Sequence, residues 1–127
     1  MVLDTDTISY YLRGSETIKE KFILNKEKLA STTVNYAELI YGLKKRDNKK
    51  YLPQVELMFD NIKVYDFCKK SANVYGTLKA DMQKRGVIVA DMDLMIASIS
   101  IANNEELISN NIGHFSKINN LDVQSWF

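Results

Sequence analysis

The chain has 127 residues, 46% hydrophobic and 26% charged, which is enough for one buried core and short for two domains. Its 17 basic and 16 acidic residues give a net charge of +1, which argues against a protein that binds nucleic acid by bulk electrostatics. A single cysteine excludes an internal disulfide, and no signal segment or membrane-length apolar stretch is evident. We therefore expect one domain over residues 1–127, located in the cytoplasm.

The hydrophobic pattern alternates between short β-type runs and helical segments. In chain order, the predicted elements are strand 1–4, helix 5–13, helix 16–24, strand 29–34, helix 35–45, helix 53–61, strand 62–67, helix 69–85, helix 92–103, strand 105–109 and a last strand near LDVQSW. Strands separated by helices predict an α/β fold with a mostly parallel central sheet of four to five strands, flanked by helices.

Several residues mark where the helices begin and end. Pro53 suits a first helical turn, where its missing N–H is not needed, and Gly86 is a natural C-terminal stop. Asn35 is predicted to cap the helix after the second strand, with Glu38 completing a capping pattern three residues later. Asp91 is predicted to cap the helix over 92–103.

Two helices show an apolar stripe, and one helix is apolar throughout. The stripe of helix 35–45 is predicted to contain Ala37, Ile40, Tyr41 and Leu43 or Lys44, and that of helix 69–85 to contain Ala72, Tyr75, Leu78 and Met82. The segment LMIASISIA is too short to span a membrane and predicts a buried helix.

Acidic and polar side chains follow the predicted strands. Asp4 ends the first strand, Glu38 lies one helical turn after the second, and Asp93 lies in the first turn of helix 92–103. Ser109, Asn110 and Asn111 lie where the predicted strand ELIS ends. In parallel sheets, sites lie at the carboxyl ends of the strands, so we expect these side chains to meet there. Three carboxylates in one cleft repel one another unless a cation neutralises them, and oxygen ligands suit Mg²⁺ or Mn²⁺.

The same acidic residues have structural interpretations that the sequence leaves open. Asp4 and Asp6 are both placed to cap the helix after the first strand, and Glu38 fits a capping pattern. Asp91 and Asp93 lie where a helix dipole favours negative charge. Helix caps collect at the same strand-to-helix transitions as sites do, so these interpretations compete.

The stretch LDTDT also resembles two phosphate-handling motifs. It nearly spells the D-x-D-x-T/V signature of haloacid-dehalogenase phosphatases, but Ile8 stands where Thr or Val is needed and no lysine is clearly placed to assist. A phospho-receiver domain needs a phosphorylatable Asp after its third strand, for which Asp66 is the nearest candidate, and a late lysine that ELIS lacks.

Four segments in order carry a stronger resemblance, namely MVLDTDTISYYL, TTVNYAELIYGL, GVIVADMDLMIAS and LISNNIGHFSKINNLDVQSW. Together they resemble a PIN-domain ribonuclease of the VapC toxin type over essentially the whole chain. The resemblance places Asp4 and Asp93 on the family's metal-binding aspartates, and Glu38 on its glutamate before an aromatic–Gly pair. The segment that closes the chain ends in Trp126, as in the family.

The chain departs from the family pattern at three positions. Asp6 stands where the family usually has Asn, Asn111 where many relatives have a fourth acid, and His114 where Glu is common. Asp6, Asp91, Ser109 and Asn111 are therefore second-rank candidates for contacts to water, substrate or the metal shell. His114, the one histidine, is interpreted either as a phosphate contact or as an ordinary surface residue.

The resemblance implies a Mg²⁺- or Mn²⁺-dependent endoribonuclease, the toxin of a toxin–antitoxin pair. It would hydrolyse RNA phosphodiesters through a metal-activated water, leaving a 5′-phosphate and a 3′-hydroxyl. The resemblance further implies a homodimer and a cognate antitoxin protein as partner. An alternative is a PIN-like RNA-binding module with weakened catalysis. The basic clusters at 44–50, 69–70 and 84–85 are either solvated helix ends or contacts to the RNA backbone.

Overall fold

A parallel five-stranded sheet runs through the computed structural model, which describes all residues 1–127. The strands are β1 (Val2–Leu3), β2 (Ala30–Thr32), β3 (Lys63–Tyr65), β4 (Leu107–Ile108) and β5 (Val123–Gln124). The helices are α1 (Thr5–Leu12), α2 (Glu16–Asn25), α3 (Thr33–Lys45), α4 (Leu52–Asn61), α5 (Lys69–Lys84), α6 (Asp91–Ala102) and α7 (Ile112–Phe115), with 3₁₀ turns at Lys26–Lys28 and Lys49–Tyr51. The predicted α/β class and parallel sheet are confirmed.

The strand order is β3-β2-β1-β4-β5, so the first strand lies at the centre of the sheet. Val2 is paired with Ala30 on one side and with Leu107 on the other. A phospho-receiver domain has the order 2-1-3-4-5 instead. The receiver hypothesis is therefore wrong, because β1 here lies between β2 and β4, and β3 rather than β2 is the edge strand.

The sheet separates two apolar cores. Val2 and Leu107 face a core built with α5, α6 and α7, whereas Leu3 and Ile108 face a core built with α1 to α4. Successive residues of a strand point to opposite faces, so two residues suffice for β1 to contribute to both cores. Trp126, near the end of the chain, packs into the second core.

Helix α6 is buried along most of its length, as the apolar segment predicts. Leu94, Ile96, Ala97 and Ile99 belong to the first core, and the buried hydroxyls of Ser98 and Ser100 donate to backbone carbonyls one turn earlier. Helix α5 packs against α6. None of the helices combines the length and the apolar character needed to cross a membrane.

The predicted start of the helix after β2 is wrong. The helix begins at Thr33, and the cap is Thr32, whose hydroxyl accepts a 3.0 Å hydrogen bond from the Asn35 backbone N–H. Thr32 has the extended backbone (φ −128°, ψ 158°) that an N-cap requires, because it still belongs to β2. Asn35 lies inside the first turn, and its side chain is free to turn inward.

The predicted apolar stripe of α3 is right in part and wrong at three of its positions. Val34 and Leu39 face the interior, whereas Ala37 and Lys44 are exposed and Tyr41 is 57% exposed. Ile40 and Leu43 are half-buried and pack against the second core, so part of the stripe is right. A buried polar residue, Asn35, occupies a position on the inner face that an apolar pattern does not detect.

The remaining elements lie close to where the sequence predicts them, with three exceptions. Pro53 lies in the first turn of α4, and Gly86 ends α5 with a left-handed φ of 69° that favours glycine. The stripe of α5 holds at Leu78 and Met82, but Ala72 is exposed and buried Ser71 takes its place.

The other two exceptions concern α6 and α7. Ala90 rather than Asp91 stands at the cap of α6, and Asp91 is the first helical residue. The NNIGHF segment, which lies between the last two predicted strands and has no predicted helix, contains the short helix α7.

The helix α6 offers a direct test of the core. Ile96 has no exposed surface, so Ile96→Ala is expected to lower the free energy of unfolding by about 2–5 kcal/mol through lost burial and the cavity left behind. Ile88→Ala is the matched control, because Ile88 is 88% exposed and its loss is expected to change stability by less than about 0.5 kcal/mol. Urea denaturation followed by circular dichroism measures both. Equal effects at the two positions would contradict the described core.

Candidate active site

The carboxyl ends of β1, β2 and β4 meet at one edge of the sheet. Asp4 directly follows β1, α3 begins directly after β2, and Ser109 directly follows β4. Parallel pairing of these strands aligns their ends, so polar side chains from distant parts of the sequence come together. Of the side chains predicted to meet here, Asp4 is hydrogen-bonded to Ser109 directly and to Glu38 through Thr5, whereas Asp93 has no hydrogen bond to any of them.

Asp4 lies at the centre of the edge and is only 6% exposed. Its Oδ1 accepts hydrogen bonds from the Thr5 backbone N–H (2.9 Å) and from Asn35 Nδ2 (3.0 Å), and its Oδ2 accepts one from Ser109 Oγ (2.8 Å). Asp4 also occupies the N-cap position of α1, which confirms the capping interpretation, while its role as a metal ligand stays a prediction.

The pKa of Asp4 is raised from 3.8 to about 7, chiefly by burial and also by the negative charges of Asp6 and Glu38. The hydrogen bonds from Ser109 and from the Thr5 backbone oppose this rise, because they stabilise the carboxylate. Because the pKa of Asp4 remains raised, its three hydrogen-bond donors do not offset the cost of burying its charge near other acids. The site therefore favours a proton or a cation at this carboxylate.

Glu38 lies in the second turn of α3, half-buried, and faces the same edge. Its Oε1 accepts a 2.8 Å hydrogen bond from Thr5 Oγ1, which connects α3 to the start of α1. Burial raises the pKa of Glu38, the Thr5 hydrogen bond lowers it, and the charges of Asp93 and Asp6 raise it again. Asp93 and Asp6 therefore both disfavour the ionised form of Glu38.

Asp6 lies in the first turn of α1 and does not cap it. Its Oδ2 accepts a 3.1 Å hydrogen bond from the Asn110 backbone N–H, and its Oδ1 accepts one of 3.2 Å from Thr7 Oγ1. Burial raises the pKa of Asp6, against hydrogen bonds from the Thr7 and Asn110 backbones that lower it. Asp6 thereby ties α1 to the segment that follows β4.

Asp93 enters from the first turn of α6 and is partly exposed. Its Oδ2 lies 3.3 Å from Nδ1 of His114, on α7. Phe115, the last residue of the short helix α7, is fully buried in the first core, and His114 directly precedes it. His114 therefore contacts a predicted site residue, which neither interpretation from the sequence included.

Asp91 and Asn111, two of the second-rank candidates, have other contacts. The carboxylate of Asp91 accepts hydrogen bonds from Lys79 Nζ (2.7 Å) and Tyr75 Oη (2.9 Å) on α5, and the Lys79 and Tyr75 contacts lower its pKa. The Asn111 backbone N–H donates to Ser109 Oγ (2.9 Å), while its side chain forms no hydrogen bond within the chain. Asp91 is thus engaged outside the Asp4 network.

The chemistry of the donor set fits a hard divalent cation. The four acids Asp4, Asp6, Glu38 and Asp93 supply carboxylate oxygens only, and mutual repulsion contributes to the raised pKa values of Asp4 and Glu38. No three His, Cys, Asp or Glu side chains already stand as a closed ligand cluster. Asp4 and Asp93 would hold such a cation only with water molecules as further ligands, as Mg²⁺ commonly has.

Two residues at the site have contacts that the sequence did not indicate. The Asn35 amide, interpreted as a helix cap, donates to Asp4 and also to Thr5 Oγ1 (3.0 Å). Thr5 joins Asn35 to Glu38. No spacing rule reveals either contact, because each depends on β1 and β2 lying side by side.

A protein-family model described as PIN domain matches residues 1–121. Among curated proteins, Ribonuclease VapC2 of Rickettsia felis is 33% identical over 99 residues, covering 77% of this chain and 74% of that protein. The tRNA(fMet)-specific endonuclease VapC of Salmonella typhimurium is 28% identical and covers 98% of this chain and 96% of its own length.

Solved structures are similar over nearly the whole chain. VapBC2 from Rickettsia felis, bound to a DNA fragment from its promoter, has a TM-score of 0.91 at 28% identity and covers 99% of this chain and 98% of its own. DNA-bound VapBC from Salmonella typhimurium has a TM-score of 0.92 at 27% identity, with both chains fully covered. The fold described above is therefore similar to that of these structures over the whole chain.

The raised pKa of Asp4 predicts an unusual pH dependence of stability without metal. Between pH 3.8 and about 7 the folded protein holds a proton on Asp4 that the unfolded chain has lost, so stability falls as pH rises through this window. The shift corresponds to a decrease on the order of 4 kcal/mol. Asp4→Asn is expected to flatten the dependence and to stabilise the protein at pH 8.

Urea denaturation in EDTA at pH 5 and pH 8 measures this effect, with Asp60→Asn on exposed α4 surface as the control. The control is expected to retain the wild-type difference between the two pH values. An Asp4→Asn protein with the same difference as wild type would show that burial of Asp4 does not control this dependence.

Proposed function

The chain belongs to the PIN-domain family and to its VapC branch of ribonucleases, and on that premise we propose that it is a divalent-metal-dependent endoribonuclease toxin. The proposed nuclease domain comprises residues 1–127. Asp4, Glu38 and Asp93 are its proposed catalytic residues, with Asp4 and Asp93 as the metal ligands and Mg²⁺ or Mn²⁺ as the cofactor. The substrate is an RNA phosphodiester.

One observation carries the proposal, namely the buried Asp4 with its pKa raised to about 7 beside further carboxylates. Such a group is destabilising unless a positive species compensates it, and no Lys or Arg side chain forms an ion pair with Asp4, Asp6, Glu38 or Asp93. A divalent cation is the species that a nuclease of this family would supply. When bound, it would neutralise the acids and the scissile phosphate and lower the pKa of water.

The chain's own residues would then divide the remaining work. Ser109 and the Thr5 backbone hold both oxygens of Asp4 in place. Glu38 has one oxygen held by Thr5, while Oε2 accepts no hydrogen bond within the chain and is available to orient an attacking water. A raised pKa suits Glu38 for accepting a proton near neutral pH.

RNA would approach across the edge that carries α1, α5 and α6. Lys69 and Lys70 open α5 directly after the β3 segment, so they lie toward this edge and are proposed to contact the RNA backbone. The clusters at 44–50 and 84–85 follow the far ends of α3 and α5, which are about 20 Å and 24 Å long. They are therefore less suited to contact a phosphate near the site.

We further propose a cognate antitoxin protein as partner, a homodimer as the assembled state, and a cytoplasmic location. The support for the antitoxin is the similarity to VapBC complexes. An acidic site of this kind is suited to inhibition by a basic side chain, which would compensate the same carboxylates as a metal ion.

The alternatives from the sequence fare differently. A haloacid-dehalogenase phosphatase requires a lysine at the aspartate pair, and no lysine pairs with Asp4 or Asp6. RNA cleavage distinguishes an active nuclease from the PIN-like binding module with weakened catalysis. The support for the module is Asn111, whose amide replaces the fourth acid of many relatives.

The decisive measurement is metal-dependent RNA cleavage. Purified protein with total RNA and Mg²⁺ or Mn²⁺ is expected to produce discrete cuts that EDTA prevents. Asp93→Ala is expected to reduce the rate more than about 100-fold, since even partners of a metal ligand commonly contribute 10- to 100-fold. Asp60→Asn serves as the control that keeps wild-type cleavage. Intact RNA with every metal and a folded protein would favour the binding module instead.

A second assay separates the two aspartates of LDTDT. Asp6→Asn is expected to reduce cleavage less than about tenfold, because its amide oxygen still accepts the Asn110 backbone N–H. Asp4→Asn is expected to abolish cleavage, since one metal-binding oxygen is lost at the centre of the site. Initial rates with the same RNA compare them. If both variants were equally inactive, Asp6 would have to be placed among the catalytic residues.

A further inference from the structure

Asn35 is a fully buried amide between two of the proposed catalytic acids. Thr32 caps α3, so the Asn35 side chain takes no part in capping and points from the first turn toward the end of β1. A buried amide without partners is costly, and each of its polar atoms here has a partner. This complete set of hydrogen bonds indicates a role for Asn35 beyond packing.

The hydrogen bonds fix the orientation of the amide. Asn35 Nδ2 carries two protons, one donated to Asp4 Oδ1 (3.0 Å) and one to Thr5 Oγ1 (3.0 Å). Asn35 Oδ1 accepts a 2.7 Å hydrogen bond from Thr32 Oγ1. Rotating the amide by half a turn would place its oxygen against the Asp4 carboxylate, where two acceptors repel each other.

The same amide fixes the hydroxyl of Thr5 and, through it, Glu38. Thr5 Oγ1 accepts from Asn35 Nδ2, so its own proton is free for Glu38 Oε1, at 2.8 Å. We propose that Asn35 is a positioning residue that holds Asp4 directly and Glu38 through Thr5, so that the two carboxylates keep one relative arrangement. This inference rests on the proposed nuclease function for its consequence in catalysis.

A neutral donor suits this position better than a cation or an acid. Lys or Arg would neutralise Asp4 and compete with a divalent ion, whereas Asp has the shape of Asn but no protons to donate. Asp would also add a negative charge to a group of acids whose pKa values are already raised. Asn35 orients the carboxylates and leaves their charge for the metal.

The first test measures Mn²⁺ binding by titration calorimetry, with Mn²⁺ alone as the probe. Asn35→Asp is expected to weaken binding about tenfold or more, in the range known for residues that orient metal ligands. Asn61→Asp is the matched control, because Asn61 donates from an exposed position to the Leu57 carbonyl (2.7 Å) and is expected to leave Mn²⁺ binding unchanged.

Thr5→Val tests the connection to Glu38. Valine keeps the shape of threonine and removes the hydroxyl that joins Asn35 to Glu38. Its effect on Mn²⁺ binding is expected to be smaller than that of Asn35→Asp, and the double variant is expected to lose less than the product of the two single losses. A folded Asn35→Asp protein with a lower melting temperature and wild-type Mn²⁺ affinity would show a purely structural role and overturn the proposal.

A metal-independent measurement covers the case in which Asn35→Asp does not fold. In EDTA, the side-chain amide protons of Asn35 in the wild-type protein are expected to exchange with solvent far more slowly than those of exposed Asn61, and Thr5→Val is expected to shift their NMR signals. Exchange as fast as that of Asn61 would overturn the proposal. Absence of both Mn²⁺ binding and RNA cleavage in the wild type would refute the proposed function, and the amide measurement would then decide the arrangement alone.

Discussion

Burial of one carboxylate at the end of the central strand is the constraint on which this site depends. Asp4 follows β1, flanked by β2 and β4, so its two oxygens receive donors that those neighbours bring, from Asn35 and from Ser109. The hydrogen bonds lower the free energy of the anion without cancelling its charge, and its pKa stays near 7. Burying this carboxylate lowers the stability of the fold, so the two apolar cores must provide the compensating stability.

Much of this arrangement follows from patterns that a sequence carries. The alternation of β-type and helical runs is decided by periodicity, and a parallel sheet then assigns all strand ends to one edge. That rule is enough to bring Asp4, Glu38 and Ser109 together before any coordinates are known. Local signals also worked where one residue type has one physical use, as with Pro53 in a first turn and Gly86 at a left-handed φ.

The predictions were wrong where two neighbouring residues were equally suited to the same local role. They were also wrong where a contact between residues far apart in the sequence decided the structure. Thr32 and Asn35 are both good caps, and only the end of β2 selects Thr32. Because Thr32 caps α3, the Asn35 side chain is left to donate to Asp4, a contact that the capping pattern does not predict. Asp91 meets Lys79 because α5 and α6 pack along each other, and α7 ends in Phe115, which is fully buried in the first core. Neither contact is encoded in short-range propensity.

The shortness of β1 has a consequence for how this chain tolerates change in length. Its two residues alternate between the two cores, and the third position, Asp4, is the site. Inserting or deleting one residue before Asp4 would exchange the faces of Val2 and Leu3 and turn the carboxylate away from Ser109 and Asn35. Length variation among related chains should therefore accumulate in the exposed segment around Arg46–Asp47, between α3 and α4, where neither core nor site sets a register.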